Sequence, residues 1–251
     1  MNISVIGTGN VAAVLASLCV QKGHSIRQVI ARNRETAEMM IQKSGGSYIN
    51  INSNRFDPTD LIITALSDNA LPDAIAGFDF KDTPVVHTAG ACSINVLKKN
   101  AFNFGVLYPV QSLRKEMDTI PPIPFLIEAN NIETFRFIRE FAGTLSDNVK
   151  GEGEENRLRL HAAAVMVNNF TNYLYCAAEK FCGNENLDFN ILKPLIKETA
   201  DRIWEHSPCM MQTGPAVRKD IITLDKHLRL LAPYPKLRTM YMRMTDNIMN
   251  P

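Results

Sequence analysis

Gly7, Gly9 and Ala12 fall in the run Gly7-Thr8-Gly9-Asn10-Val11-Ala12, directly after the apolar stretch Ile3–Ile6 and at the start of an amphipathic pattern from Val11 to Lys22. In that setting each small residue has a physical task. The first glycine permits a tight turn, the second lets backbone approach a pyrophosphate, and a small third residue lets the helix pack close to the sheet. The free N–H groups of the helix N-terminus would then face the phosphates, so Gly7, Thr8, Gly9, Asn10 and Val11 form a candidate dinucleotide cradle. The next apolar run, Ile26–Ala31, ends in Arg32-Asn33-Arg34. A cofactor with a free ribose hydroxyl calls for an acid there. Arginine suits a 2′-phosphate, because a guanidinium can pair with it bidentately, and the expected cofactor is therefore NADP(H).

Two more runs should end on the same sheet edge. One delivers Leu66, Ser67 and Asp68; the other delivers His87, followed by Thr88-Ala89-Gly90, small enough to leave room for a nicotinamide. His87 is accordingly expected beside the cofactor. Farther along, on an Ala-rich helical pattern, an uninterrupted helix at about 100° per residue would bring His161, Asn168, Asn172 and Glu179 within about 40° of one another, with Tyr175 at the edge. Such a polar seam suits a cavity wall. His161 is the candidate general acid or base, since an imidazole exchanges protons near neutral pH, and Asn168 or Asn169 would orient a carbonyl or imine. Arg218 and Asp220 could reach an anionic substrate or make a structural ion pair. His206 and Cys209 lack evident companions, and no metal site is assigned.

These residues require a doubly wound scaffold. Apolar runs at 3–6, 26–31, 61–65, 85–87, 104–107 and 125–128 alternate with helical patterns at 11–22, 35–43, 71–76, 94–99 and 132–142. The expected fold is α/β: a Rossmann-type, mostly parallel sheet with helices on both faces, followed by a smaller all-helical domain. The prolines of Asp118–Pro124 mark a surface connection. Composition shifts at Gly151-Glu-Gly-Glu-Glu155, which puts an NADP(H)-binding domain at 1–151 and a helical substrate or dimerisation domain at 152–251. Helices are expected at 156–182, at 189–205 and, in two pieces starting at Pro215, to Met249.

The 251 residues are 45% hydrophobic with a net charge of +1 and no long run of either sign, so small molecules are expected as partners, not nucleic acid or membrane. The five scattered cysteines are expected as reduced core thiols, and the absence of a secretory pattern points to the cytoplasm.

With these motifs, His87-Thr-Ala-Gly-Ala91 and Tyr108-Pro-Val-Gln111, the chain resembles the superfamily of pyrroline-5-carboxylate reductase, ketopantoate reductase and 6-phosphogluconate dehydrogenase. His161-Ala-Ala-Ala-Val165, Asn168-Asn169 and Thr213-Gly-Pro-Ala-Val-Arg218-Lys-Asp220 narrow the likeness to a family of NADP oxidoreductases whose helical second half has no assigned function. The resemblance implies a nucleotide-linked reductase or dehydrogenase acting on a small carbonyl, imine or hydroxy-acid metabolite. It also implies a homodimer built through a helical domain like that of 6-phosphogluconate dehydrogenase. Tyr108, Gln111, Asn172 and Arg218 are further substrate-facing candidates. Some relatives use reduced deazaflavin instead. The catalytic lysine of the hydroxyacid dehydrogenases has no counterpart here, since no lysine lies between Lys150 and Lys180. A catalytically silent NADP(H) sensor is the competing reading. An S-adenosylmethionine site would favour an acid where Arg32 stands.

Overall fold

The computed structural model describes residues 1–251. Its first part contains β1 (Asn2–Ile6), α1 (Asn10–Gln21), β2 (Ser25–Ala31), α2 (Arg34–Ser44), β3 (Ser47–Asn50), β4 (Leu61–Thr64), α3 (Leu71–Ile75), β5 (Val85–His87), β6 (Phe104–Pro109), β7 (Phe125–Ala129), α4 (Ile132–Leu145), β8 (Val149–Gly151) and α5 (Glu154–Ala164). The strands form one eight-stranded sheet in the order β3-β2-β1-β4-β5-β6-β7-β8. Neighbours are parallel except β6 and β7. Strand order reverses between β1 and β4, which makes the crevice above their carboxyl ends the place where such sheets take ligands.

The near-continuous apolar strands follow from burial on both faces. Val5, Val29 and Ile63 pack with α1 and α4 through Leu15, Leu18, Ile138 and Phe141. Their strand neighbours Ile6, Ile30 and Ile62 pack in a second cluster with Leu71, Ile75 and Leu97. Alternate side chains thus enter different cores, as a pleated strand requires. Inside the sheet, buried Gln28 donates to Ser4 Oγ at 2.6 Å and exchanges bonds with the backbone of Asp57, so its amide is satisfied.

The strands and helices expected from sequence are present with shifts of a few residues, and the segment after Ser93 is a 3-10 turn, Ile94–Leu97, capped by the Ser93 hydroxyl. Two edge strands, β3 and β8, were not anticipated.

Compactness divides the chain into Met1–Asn169 and Phe170–Pro251. The second unit holds α6 (Thr171–Asn184), α7 (Lys193–Arg202), α8 (Ile221–Leu230) and α9 (Pro235–Met249). Between α5 and α6 the backbone is a π-helix, Val165–Phe170. The wider turn of a π-helix departs from the 100° per residue at which the expected seam is drawn. The expected helix start at Pro215 is also displaced. Residues 214–219 form turns with positive φ at Gly214 and Lys219, and α8 begins only after Asp220, whose carboxylate accepts from Thr223 N at 3.1 Å. Asp220 is therefore a helix cap and not a residue on the helix. Of the cysteines, Cys19 and Cys182 are buried, Cys92 and Cys176 half-buried and Cys209 exposed, which limits the core expectation to the first two. No helix is long and apolar enough to cross a membrane.

Candidate functional site

The site is confined to the first unit and is built along the carboxyl edge of its parallel strands. Gly7 follows β1 with φ of +118°, and a Cβ there would run into the Ala65 carbonyl oxygen. Its N–H donates to Ile30 O at 2.9 Å, which ties the loop to β2. Gly9 is the N-cap of α1 and supplies no side-chain cap, so the first N–H groups of the helix point outward unsatisfied. A Cβ on Gly9 would meet nothing within 4 Å. Ala12 is fully buried against the core, in the close-packing role expected of it. An open space above uncapped amides, with a backbone held in place by Gly7, fits an anionic diphosphate. Thr8 Oγ1 contacts Thr36 Oγ1 at 3.0 Å, and Asn10 Oδ1 accepts from Lys115 N, so both side chains serve the loop's shape.

At the end of β2 the two arginines differ. Arg34 is held by Glu38 at 2.7 Å and lies over the Tyr48 ring, and the Glu38 carboxylate raises its pKa. Arg32 is exposed and makes no ion pair. Asn33 caps α2, accepting from Thr36 N, so its amide oxygen is already used. Arg32 is thus the guanidinium free to meet a phosphate.

Beyond β4, Leu66 is half-buried and Ser67 exposed. Asp68 links this loop to the next: its carboxylate accepts from Ala91 N at 3.1 Å and its carbonyl from Cys92 Sγ. His87 is not where the cofactor reading expected it. Its side chain is fully buried, its Nδ1 accepts from Ala89 N at 3.2 Å, and its Nε2 has no partner. Burial, reinforced by Arg157, lowers its pKa to about 4 against a smaller opposing influence of the Ser93 backbone. The imidazole is neutral at pH 7 and shapes the turn from beneath.

The chemistry-bearing pair lies beside that turn. Tyr108, near the end of β6, places its hydroxyl 2.7 Å from Nδ1 of His161 on α5, with the rings edge to face. Burial first, and Asp68 second, raise the Tyr108 pKa, so the phenol stays protonated. Sequence reasoning missed the residue that anchors this arrangement, Arg157, whose guanidinium is buried and bonded to Glu128 and to the carbonyls of Gly90 and Cys92. Its position one turn before His161 was the available signal; its burial depends on β7 and the β5 loop, which spacing cannot reveal.

The remaining candidates are placed differently. Gln111 is engaged locally, donating to Pro122 O and accepting from Ser112 N. Asn168 and Asn169 are exposed on the π-helix. Asn172, at the start of α6, and Arg218, in the turns before α8, are exposed residues of the second unit.

Residues 2–90 match the family model described as NADP oxidoreductase, coenzyme F420-dependent, and residues 123–248 match the domain of unknown function DUF2520. Among solved structures, a Bacteroides fragilis protein named "putative NADP oxidoreductase" is 36% identical, with 100% of this chain and 98% of that one covered and a TM-score of 0.91. A Thermotoga maritima protein is 18% identical over 98% of this chain and 96% of its own, with a TM-score of 0.73. The 1-pyrroline-5-carboxylate reductase of Streptococcus pyogenes shares the fold at 14% identity, covering 100% and 99% of the two chains with a TM-score of 0.67. No curated protein sequence matches.

Proposed function

Because the chain belongs to the family that joins an F420-dependent-type NADP oxidoreductase domain to DUF2520, we propose that it is an NADP(H)-dependent oxidoreductase acting on a small carbonyl, imine or hydroxy-acid metabolite. The observation that carries this reading is the pairing, on one sheet edge, of an uncapped diphosphate cradle with the Tyr108–His161 proton-handling pair.

Gly7 to Val11 hold the diphosphate by backbone, and Arg32 pairs with the 2′-phosphate. Leu66 and Ser67 line the nucleotide's path, and Asp68 fixes the loop that turns beside it. A nicotinamide, when bound, supplies or accepts the hydride. His161 exchanges the accompanying proton at Nε2, as the imidazolium when it gives the proton and as the Nδ1–H tautomer when it takes it, and the Tyr108 oxygen holds the ring by accepting from Nδ1–H. Asn168 and Asn169 remain the candidates for orienting the substrate oxygen or nitrogen.

The helical unit supports a homodimer. Its buried hydrophobic residues are Cys182, Ala216, Leu224 and Leu231, while Ile191, Trp204, Met210 and Ile222 stand exposed. Apolar surface on this scale suits a subunit contact. Sedimentation at micromolar concentration should give a dimer mass; a monomer would end that part of the reading. All five thiols are free, in keeping with a cytoplasmic setting.

The test of the activity is NADPH oxidation, followed at its absorbance band, across a panel of carbonyl and imine compounds. Steady turnover with one of them is the expected result. Tight NADPH binding with a conformational response and no turnover anywhere in the panel would favour a sensor.

A further inference from the structure

Arg157 carries a charge into a place where charge is costly. Its side chain has no exposed surface, yet each guanidinium nitrogen is engaged: Nε donates to Gly90 O at 3.3 Å, Nη2 to Cys92 O at 2.6 Å and Nη1 to the Glu128 carboxylate. A buried guanidinium persists only when it is paired and hydrogen-bonded, and this one pairs with Glu128 and is bonded at each of its three nitrogens. Three separate segments converge on it: β7 through Glu128, the loop after β5 through Gly90 and Cys92, and α5 itself.

The loop that Arg157 holds is the one against which the proton-handling pair rests. A Cβ on Gly90 would stand 2.9 Å from His161 Nδ1 and 3.0 Å from Tyr108 Cε2, so glycine here marks a close approach of all three residues. Arg157 and His161 are four apart on α5 and share a side of the helix. The helix turn bonded to the Gly90 carbonyl therefore also presents His161 to the Tyr108 hydroxyl. Ala91, between the two clamped carbonyls, donates its N–H to Asp68 and so ties the same loop to the edge of β4.

We propose that Arg157 is a positioning residue, which locks α5 onto the Gly90–Cys92 loop and so holds His161 Nδ1 within hydrogen-bond reach of the Tyr108 hydroxyl. Direct recognition of a substrate anion by Arg157 does not fit a guanidinium whose nitrogens are all occupied and enclosed. The inference rests on the reading of His161 as the proton carrier, but its structural half can be measured without turnover.

The variants are Arg157→Met and Arg157→Lys in the full chain. Hydrogen exchange at Gly90 to Cys92 and the nitrogen resonances of the labelled His161 ring report the clamp; NADPH affinity and the kcat and KM of the best substrate report its consequence. In Arg157→Met, exchange at the loop should rise by about 10-fold or more, and the His161 signals should lose the signature of a hydrogen bond at Nδ1. kcat should fall by about 10- to 100-fold with NADPH affinity nearly unchanged, as expected for a misplaced proton carrier. Lysine keeps the charge beside Glu128 but cannot span both carbonyls, so Arg157→Lys should give a smaller shift in the same direction and serves if the methionine variant does not fold. Wild-type exchange and wild-type His161 signals in a folded variant would overturn the proposal. A loosened loop with undiminished kcat would leave the clamp standing and remove His161 from the chemistry.

Discussion

The Tyr108 hydroxyl and His161 Nδ1 lie 2.7 Å apart, joining the end of β6 to α5. Only a residue without a side chain at position 90 leaves them room. Gly90→Ala should therefore act as a wedge at this contact. The imidazole can swing away, so the fold should survive, and kcat should drop about 10-fold, the scale of one lost hydrogen bond. Turnover equal to wild type, with the Tyr108–His161 contact intact in a crystal structure of the variant, would argue against a role for the pair.

Removing the imidazole should be more severe. His161→Asn is expected to lower kcat by about 100-fold or more while NADPH affinity stays within about 2-fold, because general acid–base catalysis contributes on that scale and the cradle is elsewhere. Tyr108→Phe keeps the ring and loses the hydroxyl, so a smaller loss is expected. Steady-state kinetics beside a binding titration separate these outcomes.

The two glycines of the nucleotide loop should respond in opposite ways. Gly7→Ala forces a side chain at φ +118° into the Ala65 carbonyl and should cost about 1–3 kcal/mol of stability, read by denaturant unfolding. Gly9→Ala meets no protein atom, so stability should be unaffected while NADPH binding weakens. Equal loss of stability in both would contradict the view that Gly9 is small for the ligand's sake.

His87 predicts a pH dependence of stability. Its folded pKa, about 4, lies below the ordinary 6.5 because burial penalises the charged ring. The unfolded chain thus binds more protons between those values, and stability falls as pH drops from about 6.5 to about 4, by a few kcal/mol in all. His24, also lowered by partial burial, adds in the same direction. His87→Asn should flatten the urea-unfolding curve against pH in that window; an unchanged slope would contradict the assignment.

Much of the first unit was legible because its physics is local. Ile3–Ile6, Leu61–Thr64 and Val85–His87 are apolar on both faces and end at small residues, and the Gly7–Ala12 run declares its turn. The edge strands escaped for a matching reason: Ser47–Asn50 and Val149–Gly151 are short and only half-buried, so they carry little apolar signal. The turn of His87-Thr-Ala-Gly90 was visible, but the direction of the His87 ring was not, since that is decided by packing beneath the loop. His161 and Tyr108 were each named, yet their partnership was hidden by the 53 residues separating them in sequence. The π-helix Val165–Phe170 has no pattern that distinguishes it from an α-turn, so the 100° phase of the seam runs straight through it in a reading from sequence.

The central claim is that the cradle takes the phosphorylated dinucleotide, with Arg32 as the residue that reads the phosphate. Calorimetric titration of the protein with NADPH and NADH, repeated on Arg32→Asp, tests it most directly. Tighter binding of NADPH by about 10-fold or more in the native chain, lost or inverted in Arg32→Asp, is the predicted result for a charge-assisted contact. Equal affinity for the two cofactors in the native chain would contradict it.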